Sequence, residues 1–444
     1  MKKKVDNYTF LTQAPVPRVV ATMSVSTIAT MLVTSIYNIA DTYFVGFIST
    51  QATAAVGIVF SVMFVLQAMG FFFGHGSGNF MSRELGAKRT DRAKRMAITG
   101  VVYSFCAGLL MAVIGLAFLT PISVALGSTP TILSSTEEYL GIVLLGAPFF
   151  TSSLTLNNQL RFQGNAAHAM LAVVSGAVLN IGLDPLFIFV FKMGVAGAAT
   201  ATVVGQVTSW VVLLLMTRRG GNLHLHWRLF TPTREFARQI VAGGTPSVMR
   251  QGLGGIATIM MNVAAAQYGD AAIAAMSIVN RCTMLVMSAI IGLGQGYQPL
   301  CGFCYGARLY DRVKGGMWFC SKVGTVFLLA CSLLGFGFTD QIIGIFLTDP
   351  DVVTIGAAAM RWQLVTLPLM ATYMYVSMML QTIGMTWRAN LVASARQGLF
   401  FIPLIVILPY FFGLKGVEMC PAMSDLCSFV LTMPILRSAL TRMR

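Results

Sequence analysis

Gly86-Ala-Lys-Arg-Thr-Asp-Arg92 returns 220 residues later as Gly306-Ala-Arg-Leu-Tyr-Asp-Arg312. The surroundings repeat with it. Gly74-His-Gly76 aligns with Gly294-Gln-Gly296, Ala54-Ala-Val-Gly-Ile58 with Ala274-Ala-Met-Ser-Ile278, Pro148 with Pro368 and Gly164 with Gly384, all at the same offset. Near the end of each stretch Gly194-Val195 meets Gly416-Val417 with a slip of two. A fixed offset carried over so much chain marks a duplicated unit rather than a chance motif.

These landmarks punctuate long apolar runs. Of 444 residues, 56% are hydrophobic and only 10% are charged, whereas soluble domains are about one quarter charged. Crossing roughly 30 Å of hydrocarbon takes about 20 apolar residues as a helix. Twelve runs of that kind are predicted, at 18–42, 53–80, 97–119, 138–161, 169–191, 195–217, 239–266, 272–300, 317–338, 357–384, 392–412 and 417–437. They are continuous rather than alternating, and an open sheet would leave backbone groups unpaired in lipid, so helices rather than a barrel are expected. The fold class that follows is an all-α integral membrane protein with twelve transmembrane helices in two six-helix lobes. An even number of spans per lobe makes the repeats parallel. The expected division is an N-lobe at 1–217, a cytoplasmic linker at 218–238 and a C-lobe at 239–444. The first apolar run is too long for a signal peptide and lacks a small-residue cleavage pattern, so it reads as an uncleaved helix.

A formal charge of +15 raises the question of nucleic acid, but the placement of the charge answers it. Nearly all Lys and Arg fall in the N-terminus, the loops after even-numbered spans and the C-terminus. Lys192, Arg361 and Lys415 lie on the other side, and Arg250 and Arg281 lie within spans. The positive-inside rule then puts both termini in the cytoplasm, with no nucleic acid partner implied. The basic cluster from Arg83 to Arg95 would meet anionic lipid headgroups. Eight cysteines are scattered, and Cys301-x-x-Cys304 has no second pair or nearby His to complete a zinc site.

Three acids stand out within the spans: Asp41, Asp184 and Asp425. A carboxylate at bilayer depth is costly unless it meets water, a counter-ion or a partner, so each is a candidate functional group. Tyr37 and Asp41 are four residues apart, as are Asn180 and Asp184, so each pair shares a helix face. If those faces converge with Thr202, carboxylate, amide and hydroxyl oxygens meet in one pocket. Asp41, Asn180, Asp184 and Thr202 would then suit Na+, and the same pocket would suit a proton, because two carboxylates close together in a desolvated site cannot both stay charged cheaply.

Tyr37-Asn-Ile-Ala-Asp-Thr-Tyr-Phe-Val-Gly46, Asn180-Ile-Gly-Leu-Asp-Pro-Leu-Phe-Ile-Phe189 and Gly292-Leu-Gly-Gln-Gly-Tyr-Gln-Pro299 resemble the multidrug and toxic compound extrusion family, and within it the bacterial MepA-like branch. The resemblance covers nearly the whole chain. It implies a secondary active antiporter in the bacterial cytoplasmic membrane, exporting cationic amphiphilic compounds by alternating access in exchange for H+ or Na+. It also implies that the ion-linked residues sit in the N-lobe, with Asp41, Asn180, Asp184 and Thr202 at the matching positions. The chain departs from branches that carry acids in helices seven and ten. Spans 239–266 and 357–384 hold none, which leaves Asp425 as the C-lobe acid.

Candidates for a substrate cleft are Asn157, Asn158, Gln295 and Gln298, because amides in lipid need partners, and Tyr375, Met378 and Gln381, because aromatic faces and flexible thioethers tolerate varied planar cations. Arg281 is expected to pair with Asp425, to turn toward the cleft, or to snorkel from its helix end to the interface. No H-E-x-x-H, G-x-S-x-G or G-x-x-x-x-G-K-[ST] string occurs, so neither a membrane enzyme nor direct use of ATP is indicated, and no cofactor or oligomer is implied. The alternative function is the flipping of lipid-linked oligosaccharides, for which Arg250 and Arg281 offer little positive charge to hold pyrophosphate.

Overall fold

A computed structural model describes residues 6–219, 223–346 and 349–443. The first half runs through α1 (Asn7–Gln13), α2 (Val16–Gly46), α3 (Thr50–Gly86), α4 (Thr90–Ala117), α5 (Leu119–Ala125), α6 (Leu133–Phe162), α7 (Ala166–Pro185) and α8 (Gly194–Thr217). The second continues with α9 (Arg234–Ala266), α10 (Asp270–Gly306), α11 (Tyr310–Gly337), α12 (Thr339–Phe346), α13 (Pro350–Ile383), α14 (Thr386–Ser394), α15 (Phe401–Phe412) and α16 (Leu414–Thr441). Leu186–Val190 extends α7 as a π-turn, and Ala395–Phe400 joins α14 to α15 as another, so each pair crosses as one rod.

The two halves are repeats in backbone detail. α3 and α10 are both 37 residues long, and α4 and α11 both 28. The basic turn that opens the repeat ends α3 and α10 alike. Lys88 and Arg308 take the left-handed conformation at φ 60° and 61°. Arg89 N–H bonds Glu84 C=O at 2.8 Å, and Leu309 N–H bonds Cys304 C=O at 2.7 Å, the six-to-one bond of a Schellman cap. Gly164 and Gly384 close α6 and α13 in the same way, at φ 89° and 85°.

Eleven helices or joined rods among the described residues are long and apolar enough to cross a membrane. The predicted span at 239–266 is not one of them. It lies in α9, whose 33 residues have ample length, but Arg250 and a high content of Gly, Ser, Thr and Gln dilute its apolarity.

The compact units are Met1–Gln13 with Val25–Gly244, and Ala14–Ser24 with Thr245–Arg444. Of the three breaks, one follows α1 at Gln13, and the other two fall inside helices, at Ser24/Val25 in α2 and at Gly244/Thr245 in α9. In the first unit the described residues 223–240, which lead into α9 and form its first turns, are held against the bundle. Leu223 N–H bonds Gln163 Oε1 at 2.7 Å, Thr231 N–H bonds Thr99 Oγ1 at 3.2 Å, and Arg92 pairs with Glu235. Leu223, Phe236 and Ile240 are buried against Phe80, Met81 and Met96.

Candidate functional site in the N-lobe

Small residues set the geometry. At the α7–α8 crossing, a Cβ on Gly176 would overlap the Ser209 hydroxyl and the Gly205 carbonyl, and one on Gly205 would lie 2.9 Å from the Gly176 carbonyl and 3.1 Å from Asn180 Cβ. Backbone contact that close requires glycine on both helices. One turn beyond Gly176, Asn180 is thereby laid against α8 beside Thr202 and Gln206. α2 supplies Tyr37 and Asp41, and α6 supplies Tyr139.

These side chains form one cluster. Asp41, Asn180, Asp184 and Thr202 are each at most 4% exposed. The Tyr139 hydroxyl hydrogen-bonds the Asp41 carboxyl. Tyr139 also lies close enough to Tyr37, Asp184 and Thr202 to interact with each, and Asp41 and Asp184 interact directly. The Thr202 hydroxyl hydrogen-bonds Tyr139, whereas Asp41 Oδ1, both oxygens of Asp184 and Asn180 Oδ1 are buried without a partner among the described residues. Four orphaned oxygens, two belonging to one carboxylate, form with the adjacent Thr202 hydroxyl a hard-oxygen donor set. Its chemistry fits a monovalent cation or a proton.

Tyr37, Asn180 and Thr202 also line a cavity of about 160 Å³, with Phe60, Met63, Phe64, Gln67, Phe150 and Gln206 on its other walls. Three residues therefore belong to both the acid cluster and an aromatic, thioether-bearing cavity. Gln206, with both amide atoms unpartnered among the described residues, and Tyr139 were not among the sequence candidates. Gln206 follows Thr202 by one helical turn, a spacing that could have revealed it. Tyr139 has no such companion.

The remaining candidates lie elsewhere. Asn157 Nδ2 donates to Ala169 C=O at 3.1 Å, and Asn158 Oδ1 accepts from Arg161 at 2.6 Å, so both tie α6 to neighbours or to a buried guanidinium. In the second unit Gln295, Gln298, Tyr375, Met378 and Gln381 are all at most 4% exposed. Gln381 donates to Ser247 at 2.7 Å, and Tyr375 and Met378 pack against Gly294. Arg281 is exposed. The expected Arg281–Asp425 pair is not formed. Asp425 Oδ1 instead accepts from Arg396 Nε at 2.6 Å, and Oδ2 accepts from Gln363 at 2.6 Å and Thr366 at 3.4 Å. Arg396, near the edge of a predicted span, counts in the sequence as a cytoplasmic flank. The π-turn carries it inward to the acid.

A family profile described as MatE matches residues 27–186 and 246–407, one segment in each repeat. The chain belongs to the MatE family of membrane transporters. It is 28% identical over 413 residues to the multidrug export protein MepA of Staphylococcus aureus, covering 92% of this chain and 90% of that one. Among solved structures it resembles a MATE protein in a bent conformation, with TM-score 0.94, 25% identity and 99% of each chain covered. It also matches an outward-facing multidrug resistance MATE transporter of the MOP superfamily, with TM-score 0.92, 25% identity and full coverage of both chains. The MATE chain described here thus combines a repeated helical scaffold with an acid cluster found in its first half.

Proposed function

We propose that this MATE transporter is a secondary active antiporter that exports cationic amphiphilic compounds in exchange for H+ or Na+ by alternating access. The observation that carries this reading is the sharing of Tyr37, Asn180 and Thr202 between the Asp41–Asp184 cluster and the adjoining cavity. An ion seated among Asp41, Asn180, Asp184 and Thr202 would draw those shared groups toward itself. A cationic ligand in the cavity prefers the acids charged and unoccupied. The two occupants therefore compete, and each lowers the other's affinity by the same factor, which is the linkage an exchanger needs. Substrates of this class fit the aromatic and methionine walls as well. The nearly one-sided distribution of Lys and Arg supports cytoplasmic termini, and the basic turns at Lys88 and Arg308 support contact with anionic lipid there.

Purified transporter in vesicles, given an ethidium-like dye and separately imposed Na+ and H+ gradients, tests the proposal. Dye should move against its own gradient under at least one of the two. Asp184→Asn should abolish that movement while leaving downhill dye exchange. Absence of driven movement under either gradient overturns the antiport reading.

A further inference from the structure

The second unit contains a charge cluster of opposite character. Asp425 is fully buried, and both of its oxygens are already engaged by Arg396, Gln363 and Thr366. The Ser424 hydroxyl donates to the Arg396 carbonyl, fixing the π-turn against α16. Arg250 lies beside the same cluster. Gln381 of α13 reaches Ser247 on α9, and a Cβ on Gly254 would lie 3.0 Å from Gln397 Oε1. Residues 247, 250 and 254 share one face of α9, so Arg250 is carried between α13 and the turn that bears Arg396. There it interacts with the Tyr373 phenol, which also interacts with Arg396 and Asp425.

The charges do not balance. Two guanidinium groups flank the Tyr373 phenol, but only Arg396 meets the one carboxylate, and that carboxylate is saturated. Arg250 makes no ion pair among the described residues, and its buried NH1 has no partner. Exposure is uneven in the same sense. The acid is closed off, whereas the Arg396 side chain is 24% exposed and Arg250 is half-buried. The open side of the cluster is therefore cationic. A guanidinium at membrane depth without a counter-charge is costly, and an oxyanion is the group that a planar fork of donors binds best.

We infer that Arg250, beside Tyr373 and the Arg396–Asp425 pair, is an anion subsite for the carboxylate, sulfonate or phosphate of an amphiphile, so that zwitterionic compounds are substrates alongside plain cations. The inference rests on the export reading for its substrate but involves none of the N-lobe groups.

Two probes on one xanthene core separate the outcomes: a free-acid rhodamine, which is a zwitterion, and its methyl ester, which is a cation. Binding of each to the purified full chain in phosphatidylcholine nanodiscs is measured by fluorescence anisotropy. Arg250→Gln should weaken the free acid about tenfold, the worth of a charge-assisted hydrogen bond, and change the ester by less than about twofold. Arg250→Lys, which keeps the charge, should recover part of the loss and shows that the fold persists. Adding phosphatidylglycerol tests a lipid headgroup as the oxyanion source: free-acid affinity should then fall in the parent protein but not in Arg250→Gln. Equal effects on both probes, or no effect on the free acid, overturn the subsite and leave the export reading standing. If the parent binds neither probe, both fall together.

Discussion

Tyr139 donates to the Asp41 carboxyl, while Asp41 Oδ1 and both oxygens of Asp184 receive nothing from the described residues. The phenol fixes the orientation of Asp41 and leaves one oxygen to face the neighbouring donors. Removing a hydrogen bond to a charged group costs about 1.5–3 kcal/mol, so Tyr139→Phe should raise the half-saturating ion concentration for driven dye efflux about tenfold or more. The dye's own half-saturation should move much less. An unchanged ion dependence would remove Tyr139 from the ion site. Acids at bilayer depth are few, and that scarcity made Asp41 and Asp184 legible in the sequence. Phenols are common there and carry no such signal, so Tyr139 emerges only when α6 is packed against α2. Arg396 was hidden for a different reason: a cation near the end of an apolar run reads as a membrane anchor, and only the π-turn brings it to Asp425.

At the scale of the helix, the N-lobe site depends on how closely α7 and α8 approach. Gly176 and Gly205 are in backbone contact, whereas Gly182, on the same helix, has nothing within 4 Å of a built Cβ. Gly176→Ala should therefore lower thermal stability in detergent by about 1–3 kcal/mol through overpacking. Gly182→Ala should hold or raise it, by up to about 1 kcal/mol from helix propensity. Equal effects would show that the crossing is looser than its geometry. The caps of α3 and α10 give a second test. Lys88 and Arg308 hold a backbone conformation that favours glycine by about 1 kcal/mol. Lys88 also places its ammonium 5.2 Å from the centre of the Tyr8 ring. Arg308→Gly should thus raise the melting temperature more than Lys88→Gly, which forfeits the cation–π contact. The sequence announced these turns as basic loops, because their charge pattern repeats. Their handedness was not legible, since Lys and Arg do not mark left-handed positions.

Across the whole molecule the scaffold repeats while the chemistry does not. The halves share helix lengths, caps and paired π-turns, yet the first holds two acids with oxygens left unpartnered among the described residues, and the second an acid whose two oxygens are both engaged, by Arg396, Gln363 and Thr366. Asp184 and Asp425 both sit in transmembrane helices, and a reading by composition gives them equal standing. Their surroundings separate them, and a paired comparison makes the difference measurable. Asp184→Asn removes a group with free oxygens, so ion-driven efflux should disappear while protein yield and thermal stability stay near those of the parent. Asp425→Asn removes the counter-charge of a largely buried arginine, a change that typically costs about 3–5 kcal/mol. Its melting temperature should fall, but the ion concentration that half-saturates driven efflux in the surviving protein should match the parent. Efflux and thermal unfolding measured on the same two preparations distinguish the roles. If Asp425→Asn shifted the ion dependence as Asp184→Asn abolishes it, coupling would belong to both halves. The unpartnered oxygens of the first lobe would then be insufficient to explain exchange.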